Sequence, residues 1–435
     1  GHGQFQYDLE QNSYDFQQGD TKHQLSSDTV SITRKLKYLS SLRPELLTQA
    51  TLKELKGLKR SIKRKRVRAL KLYDEYRLDE RIFLVSLDTL KKYKLYTEDL
   101  SYEILRDLQV NPNNRQEVNA KEALENYLKK GFSLEYFSSQ RALYETQYKV
   151  HFNLQSQVRH NTVNDNKNII EESGYGNNDV IGPDPTHGTH VAGIIAANRT
   201  NSLGMQGIAS QVKIMPIRAI PDGDERDKDI VNSIYYAVNN GAKIINMSFG
   251  KYFSLHYKEV QKALIYAKSH GVLVVHAAGN DYLNIDNKTN YPSPRMKNGR
   301  IENYISVGSS THTLDENLVS RFSNYGKQSV DLLAPGSYIY STVPNNSYAS
   351  MSGTSTSTPV VSAIAAVIYS QNPKLYPAEV KELLISGMSK LESHTISKPG
   401  LPSALLENIV INPGVVNLSK SLEVFTDFYQ NQTLL

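Results

Sequence analysis

Three short strings carry the residue types that acyl chemistry needs. "MSGTSTSTPVV" (351–361) sets six hydroxyls in the seven positions from Ser352 to Thr358, then runs straight into apolar sequence. Ser355 falls where that apolar stretch should start as a helix. A helix apolar nearly all round, predicted over roughly 357–370, belongs inside a domain. A hydroxyl at its amino end faces a partial positive charge that favours a developing alkoxide. Gly353 lets the backbone approach a substrate closely. "PTHGTHVAGIIAANR" puts His187 ahead of a small-residue helix start, and "VVHAAGN" ends in Asn280. Acyl transfer needs a nucleophile, a base, a group that orients the base, and donors for an oxyanion. Ser355, His187 and Asn280 have the types for three of these roles. Singly, each has an ordinary reading: a turn serine, a loop histidine, a strand-end asparagine.

The surrounding elements decide whether such residues meet. After about residue 150 short β-rich runs appear: "VKIMPIRAI" (212–220), "KIINMSFG" (243–250), "GVLVVHAAGN" (271–280), "NYISVGSS" (303–310) and "SVDLLAPG" (329–336). Helical stretches such as 229–241 and 258–271 separate several of them. Strands apolar along their length and alternating with helices imply a parallel sheet covered on both faces. Chemistry then gathers beyond the carboxyl ends of the strands. Ser248-Phe249-Gly250 and Asn280 stand at such ends.

Residues 27–150 have another texture, rich in Leu, Lys, Glu and Tyr. Apolar residues return every three or four positions, which predicts five or six amphipathic helices broken at Asn111, Pro112 and Gly131. The run 53–71 holds much of the net charge of +6. Leu52, Leu55, Leu58, Ile62 and Leu70 recur through it at near-helical spacing, so it reads as a solvated helix face, and no nucleic-acid module accompanies it. The chain contains no cysteine, which excludes thiol catalysis and disulfides. No apolar run is long enough to span a bilayer.

Taken together and in order, "HGTHVAG", "HAAGN" and "SGTSTSTPVV" resemble the subtilisin-like serine proteases, the subtilases, as do "INMSFG", "FSNYG" and "LAPG". The resemblance covers about residues 149–420. It implies an α/β, subtilisin-like three-layer fold: a mainly parallel sheet between helices, here with an all-α insertion over 28–148, a peptidase domain over 149–435 and a remnant of its amino-terminal part over 1–27. It implies His187 as general base, Ser355 as nucleophile, and Asn280 with the Ser355 amide as oxyanion donors. Ser248, Phe249, Gly250 and Gly279 would bind a polypeptide substrate. Calcium enters by family analogy alone, no cofactor being required, and the location expected is secreted or envelope-associated.

The family's third residue, an Asp at the end of an early strand, has no good match. Asp88 follows an apolar run, but Leu90 stands where the family has Gly, and the run continues as helix. A subgroup common in Bacteroidetes carries a helical insertion between the Asp strand and the His motif. "NSYDFQQGD" (12–20) faintly resembles the string after its Asp strand. On this reading the carboxylate lies on a preceding segment; alternatively the chain is an impaired protease acting as a binding protein.

Neighbouring residues get quieter readings. His190 is a packed structural histidine, His276 is buried and hydrogen-bonded, and Thr354 and Thr356–Thr358 start the helix. Asp222, Asp224 and Glu225 could favour basic residues near the scissile bond, against helix capping by Asp227 or Asp229.

Overall fold

The computed structural model describes residues 27–43, 46–97, 100–155, 165–166, 169–172, 174–182, 184–209, 211–220, 225–398 and 401–433. "NSYDFQQGD", Asp222 and Asp224 lie outside them. The chain divides into two compact units, one covering residues 32–158 and the other residues 159–435.

The helical unit holds α1 (Ser27–Ser41, most of it), α2 (Gln49–Thr89), α3 (Tyr102–Asp107), α4 (Arg115–Lys129) and α5 (Leu134–Thr146). Thr48, Ser101, Asn114 and Ser133 cap α2 to α5 by accepting backbone N–H groups of the first turns. Gly131, at φ +77°, makes the turn between α4 and α5. Phe83, Leu90, Leu105, Leu124 and Phe137 form the core. The basic run lies on the first half of α2, where only Ile62 and Ala69 are buried while Leu52 and Leu70 remain exposed. Asp88 is on the last turn of α2, exposed and 3.9 Å from Lys91, so it ends a helix and not a strand.

The second unit begins with α6 (Thr186–Ala196) and α7 (Asp227–Asn239). Then come β1 (Ile244–Met247), α8 (Tyr257–Ser269), β2 (Leu273–Ala277), the small hairpin β3 (Arg295–Met296) and β4 (Gly299–Arg300), β5 (Tyr304–Ser310) and β6 (Leu332–Pro335). A second hairpin, β7 (Ile339–Val343) and β8 (Ser347–Met351), leads into α9 (Thr354–Gln371). The chain closes with α10 (Pro377–Ser386), β9 (Ser389–Lys390), β10 (Thr395–Lys398), β11 (Leu401–Leu405), β12 (Gly414–Val415) and α11 (Leu418–Thr433).

The main sheet has the order β1-β2-β5-β6-β12-β9, parallel except for the β12–β9 pair. Alternation along β2 separates two cores. Leu273 and Val275 face α6, α9 and α10, whereas Val274 faces α7 and α8. This is the three-layer α/β arrangement that buried, continuously apolar strands require.

One expected strand is absent. Residues 212–220 contain no strand, and Ile214 and Met215 are 43% and 38% exposed. β1 is an edge strand of the sheet and only its last residue, Met247, is buried. The apolar sequence of 212–220 is strand-like, but a strand exists only when a neighbour takes its backbone groups.

Candidate active site

α9 is buried along nearly its whole length, as its sequence predicts. Its amino end delivers Ser355 to the carboxyl ends of β1 and β2. Pro359 sits four residues after Ser355 and has no N–H, so the Ser355 carbonyl loses its helical partner. The Ser248 hydroxyl takes that place, donating to the Ser355 carbonyl at 2.9 Å. In return, the Ser355 hydroxyl donates to the Ser248 carbonyl at 3.1 Å. Asn246 Nδ2 donates to Ser248 Oγ at 2.9 Å, and Ser362 Oγ donates to Asn246 Oδ1, so the β1 end is tied to α9.

Asn280 is fixed by the same helix terminus. The Thr354 N–H donates to Asn280 Oδ1 at 2.8 Å and the Thr354 hydroxyl donates to it at 2.9 Å. A backbone N–H can only donate, so this bond settles the carboxamide's orientation: Oδ1 faces Thr354 and Nδ2 points away. A Cβ placed on Gly353 would lie 3.3 Å from Asn280 Nδ2 and 3.6 Å from the Ser355 nitrogen. The two donors therefore border one small space, which glycine keeps open.

The loop that carries Asn280 is held from below. Gly279 has φ +102°, where a side chain would be strained and its Cβ would strike Asn324. Asn324 Nδ2 donates to the Ala278 carbonyl at 2.8 Å, and its Oδ1 accepts from the N–H groups of Asp281 and Leu283. The Gly279 N–H donates to Thr354 Oγ1 at 3.0 Å. Thr354 thus joins strand end and helix end. The sequence reading gave Thr354 only a helix-start role; the cue was its place between the glycine and the candidate nucleophile.

His187 lies in the first turn of α6, and α6 packs directly against α9. His190, one turn on, is wholly buried, and its Nε2 lies 3.0 Å from the Ile339 carbonyl and 3.2 Å from the Ala349 carbonyl. Ser341 Oγ and Thr342 Oγ1 reach back to the carbonyls of His190 and Thr189. The β7–β8 hairpin therefore fixes α6 and then feeds α9. His187 is an exposed residue and makes no hydrogen bond to Ser355. Desolvation first, and His190 second, push its pKa down to about 4, with Asp184 acting in the opposite sense. Water at the exposed residue offsets part of that desolvation.

So the structure brings Ser355, Asn280, Ser248 and Gly279 together at one end of the sheet and sets His187 on a helix packed against the same α9. Phe249 turns away, edge-on to His276 at 6.1 Å, and packs with the α7–α8 core. His276 is buried and hydrogen-bonded as expected, its ring bonding the Phe249 backbone while its Nε2 has no partner. Burial corrects two other expectations. Glu225 is 8% exposed, so it does not face a substrate. Asp227 does not cap α7: it pairs with the buried Lys251 at 2.7 Å and accepts from Ser254 Oγ and the His256 N–H, while Asp229 accepts from the Tyr175 hydroxyl. Among the described residues no group of three or more His, Asp or Glu could hold a metal ion, so calcium has no carboxylate cluster there.

The fold is thus an α/β protein that sets a candidate serine at the head of a buried helix, beside an oriented carboxamide at the end of a parallel strand. The model of the subtilase family matches residues 99–400, and the chain belongs to that family. It is 40% identical over 186 residues to thermitase of Thermoactinomyces vulgaris, covering 42% of this chain and 61% of that one. It is 34% identical over 232 residues to the cell wall-associated protease of Bacillus subtilis (strain 168), covering 53% and 23%. The chain thus spans less than two thirds of either relative. The solved structure of the prenylagaramide maturation protease PagA is 29% identical, with coverage of 55% and 82% and a TM-score of 0.44.

Proposed function

We propose that this chain is a serine endopeptidase. Ser355 Oγ turns from the Ser248 carbonyl and attacks a peptide carbonyl carbon while His187 takes its proton. The carbonyl oxygen becomes an oxyanion facing Asn280 Nδ2 and the Ser355 N–H. The C–N bond breaks as the imidazolium returns its proton to the leaving amine, and water then hydrolyses the acyl-enzyme by the same route. No step needs a cofactor. The observation that carries this reading is the Thr354 N–H bond to Asn280 Oδ1, which turns Nδ2 toward the Ser355 amide.

The orienting carboxylate is the incomplete part. Among the described residues Asp184 is the carboxylate that acts on His187, and its pull is weaker than desolvation and the opposing effect of His190. We place the family's Asp on a further strand beside β1. Among the described residues β1 has no strand on its outer side, and this edge position supports the placement. Loss of such an Asp costs about 10⁴ in kcat. Intact mass and amino-terminal sequencing of the native protein test the placement. A longer chain or a companion fragment bearing an Asp supports it, and Gly1 as the native start with no companion sinks it.

One observation favours a second reading, a binding protein on a subtilase scaffold: the Ser355 hydroxyl engages Ser248 and not His187. Hydrolysis of a peptide library by the native protein, compared with Ser355→Ala and His187→Ala, separates the two. Cleavage that both substitutions abolish establishes the peptidase. We place it outside the cytoplasm, in keeping with the relative named as cell wall-associated. Among the described residues no helix is long and apolar enough to cross a membrane.

A further inference from the structure

The basic half of α2 carries charge that nothing in its own helix balances. Between Glu54 and Asp74 the helix has no acidic residue, and Glu54 itself pairs with Lys35. Lys56, Arg60, Arg64 and Arg68 follow one another at four-residue spacing, and all are exposed. Lys59 and Lys63 repeat the pattern beside them. Like charges at this spacing destabilise a helix. Further along, α2 matches its cations: Lys71 lies 3.5 Å from Glu75, and Arg77 lies 3.2 Å from Asp74. Among the described residues no ion pair neutralises Lys56, Arg60, Lys63 or Arg64.

The same face carries apolar side chains. Val67 is 61% exposed, with Lys63 and Arg64 one turn before it and Leu70 and Lys71 one turn after. Leu70 is exposed as well, and Leu78, Ile82 and Val85 continue the outward ridge toward the end of the helix. Ile62, Ala69 and Phe83 mark the opposite, buried side. A Cβ on Gly57 would meet nothing within 4 Å, so no other element covers the helix there. At 1.5 Å per residue the ridge from Lys53 to Val85 is roughly 50 Å long.

We propose that this face of α2 docks on a membrane surface rich in anionic phospholipid. Lipid phosphates supply the counter-charge that the basic half lacks and relieve the repulsion along it. Val67 and Leu70 enter the headgroup layer, while the long stems of the neighbouring cations reach back to the phosphates. A nucleic acid would satisfy the cations but leave Val67 and Leu70 without a partner. A single convex ridge has no groove for the side chains of a folded protein, whereas a flat surface meets it along its length. Docking of this kind does not depend on the chemistry at Ser355.

Sedimentation of the full chain with lipid vesicles tests this. Vesicles of phosphatidylcholine mixed with phosphatidylglycerol should carry the protein down, and vesicles of phosphatidylcholine alone should not. Lys56→Gln, Arg60→Gln, Lys63→Gln and Arg64→Gln combined should weaken binding by at least about 10²-fold. Glutamine is as good a helix former as lysine or arginine, so circular dichroism should be unchanged. Val67→Gln with Leu70→Gln should weaken binding by about tenfold, through lost apolar burial. A native protein that binds neither vesicle, or binds both equally, overturns the proposal without recourse to any variant. So does native affinity in the four-glutamine variant. Binding to duplex DNA that exceeds binding to the anionic vesicles, and that the Val67 and Leu70 substitutions leave intact, would assign the face to nucleic acid instead.

Discussion

Asn280 Oδ1 accepts the backbone N–H of Thr354 at 2.8 Å, and this one bond decides which end of the carboxamide faces the candidate nucleophile. A donor held this way needs no reorganisation as charge develops, which is why removing one such group costs about 10²–10³ in kcat. Asn280→Ala should show that loss with KM little changed. Asn280→Asp should lose as much, since a carboxylate has no hydrogen to offer. Thr354→Val keeps the backbone bond but loses the hydroxyl's bonds to Oδ1 and from Gly279, so a smaller loss, about tenfold, is expected. Steady-state kinetics on one peptide decide all three. An Asn280→Ala protein at native rate contradicts the assignment.

Gly353→Ala tests the space between the donors. The added methyl would stand 3.3 Å from Asn280 Nδ2 and 3.6 Å from the Ser355 nitrogen, where an oxyanion would otherwise sit. Acylation should slow by about 10²-fold, the scale of an ångström's misplacement. Thermal unfolding should shift little, because the tightest contact, with Asn280 Nδ2, is relieved by a movement of a few tenths of an ångström. Unimpaired acylation would show that the oxyanion sits elsewhere.

The pH profile reports on His187. Its pKa is pushed down to about 4, from an ordinary 6.5, by desolvation and by His190. With Asp184 as the carboxylate acting on it, the neutral base therefore persists as pH falls, and without a further Asp at the ring the acid limb of kcat/KM should have its midpoint below 6.5. Its lowered pKa means that protonating this histidine opposes folding, so any effect on stability appears as pH drops below 6.5, reduced by the water at the exposed side chain. A carboxylate brought to the ring would favour the imidazolium and raise the midpoint. A limb centred above about 7 would mean that such a group already acts on His187.

Stability should hinge on Lys251 and Asp227, which are 1% and 5% exposed. Burial raises the Asp227 pKa, but Lys251, the His256 N–H and Ser254 outweigh it and hold the carboxyl below its usual range. A depressed carboxylate pKa contributes stability above the ordinary value of 3.8, lost as pH falls through the folded-state value beneath it. Lys251→Met leaves the carboxylate buried and unpaired, at about 3–5 kcal/mol. Lys251→Met combined with Asp227→Leu should recover much of that in denaturant unfolding. Equal destabilisation of single and double variants would contradict the pairing.

The legible part of the sequence was whatever is written in local spacing. The apolar run after Ser355 gave α9, the apolar strands gave β1, β2, β5 and β6, and the polar residues after them gave Ser248 and Asn280. The helical block followed from its periodicity. Relations across the chain were not legible. Asn324 staples the Asn280 loop and Lys251 reaches Asp227; each needs the tertiary structure to bring distant residues side by side. Residues 212–220 failed as a strand for the same reason, since apolar sequence cannot supply the neighbour that a ladder requires.

Reaction with a fluorophosphonate, followed by mass spectrometry of the adduct, tests the nucleophile most directly. The native protein should carry one adduct, on Ser355; His187→Ala should form it far more slowly and Ser355→Ala not at all. A folded native protein that takes up no probe, or takes it up on another residue, would contradict the account.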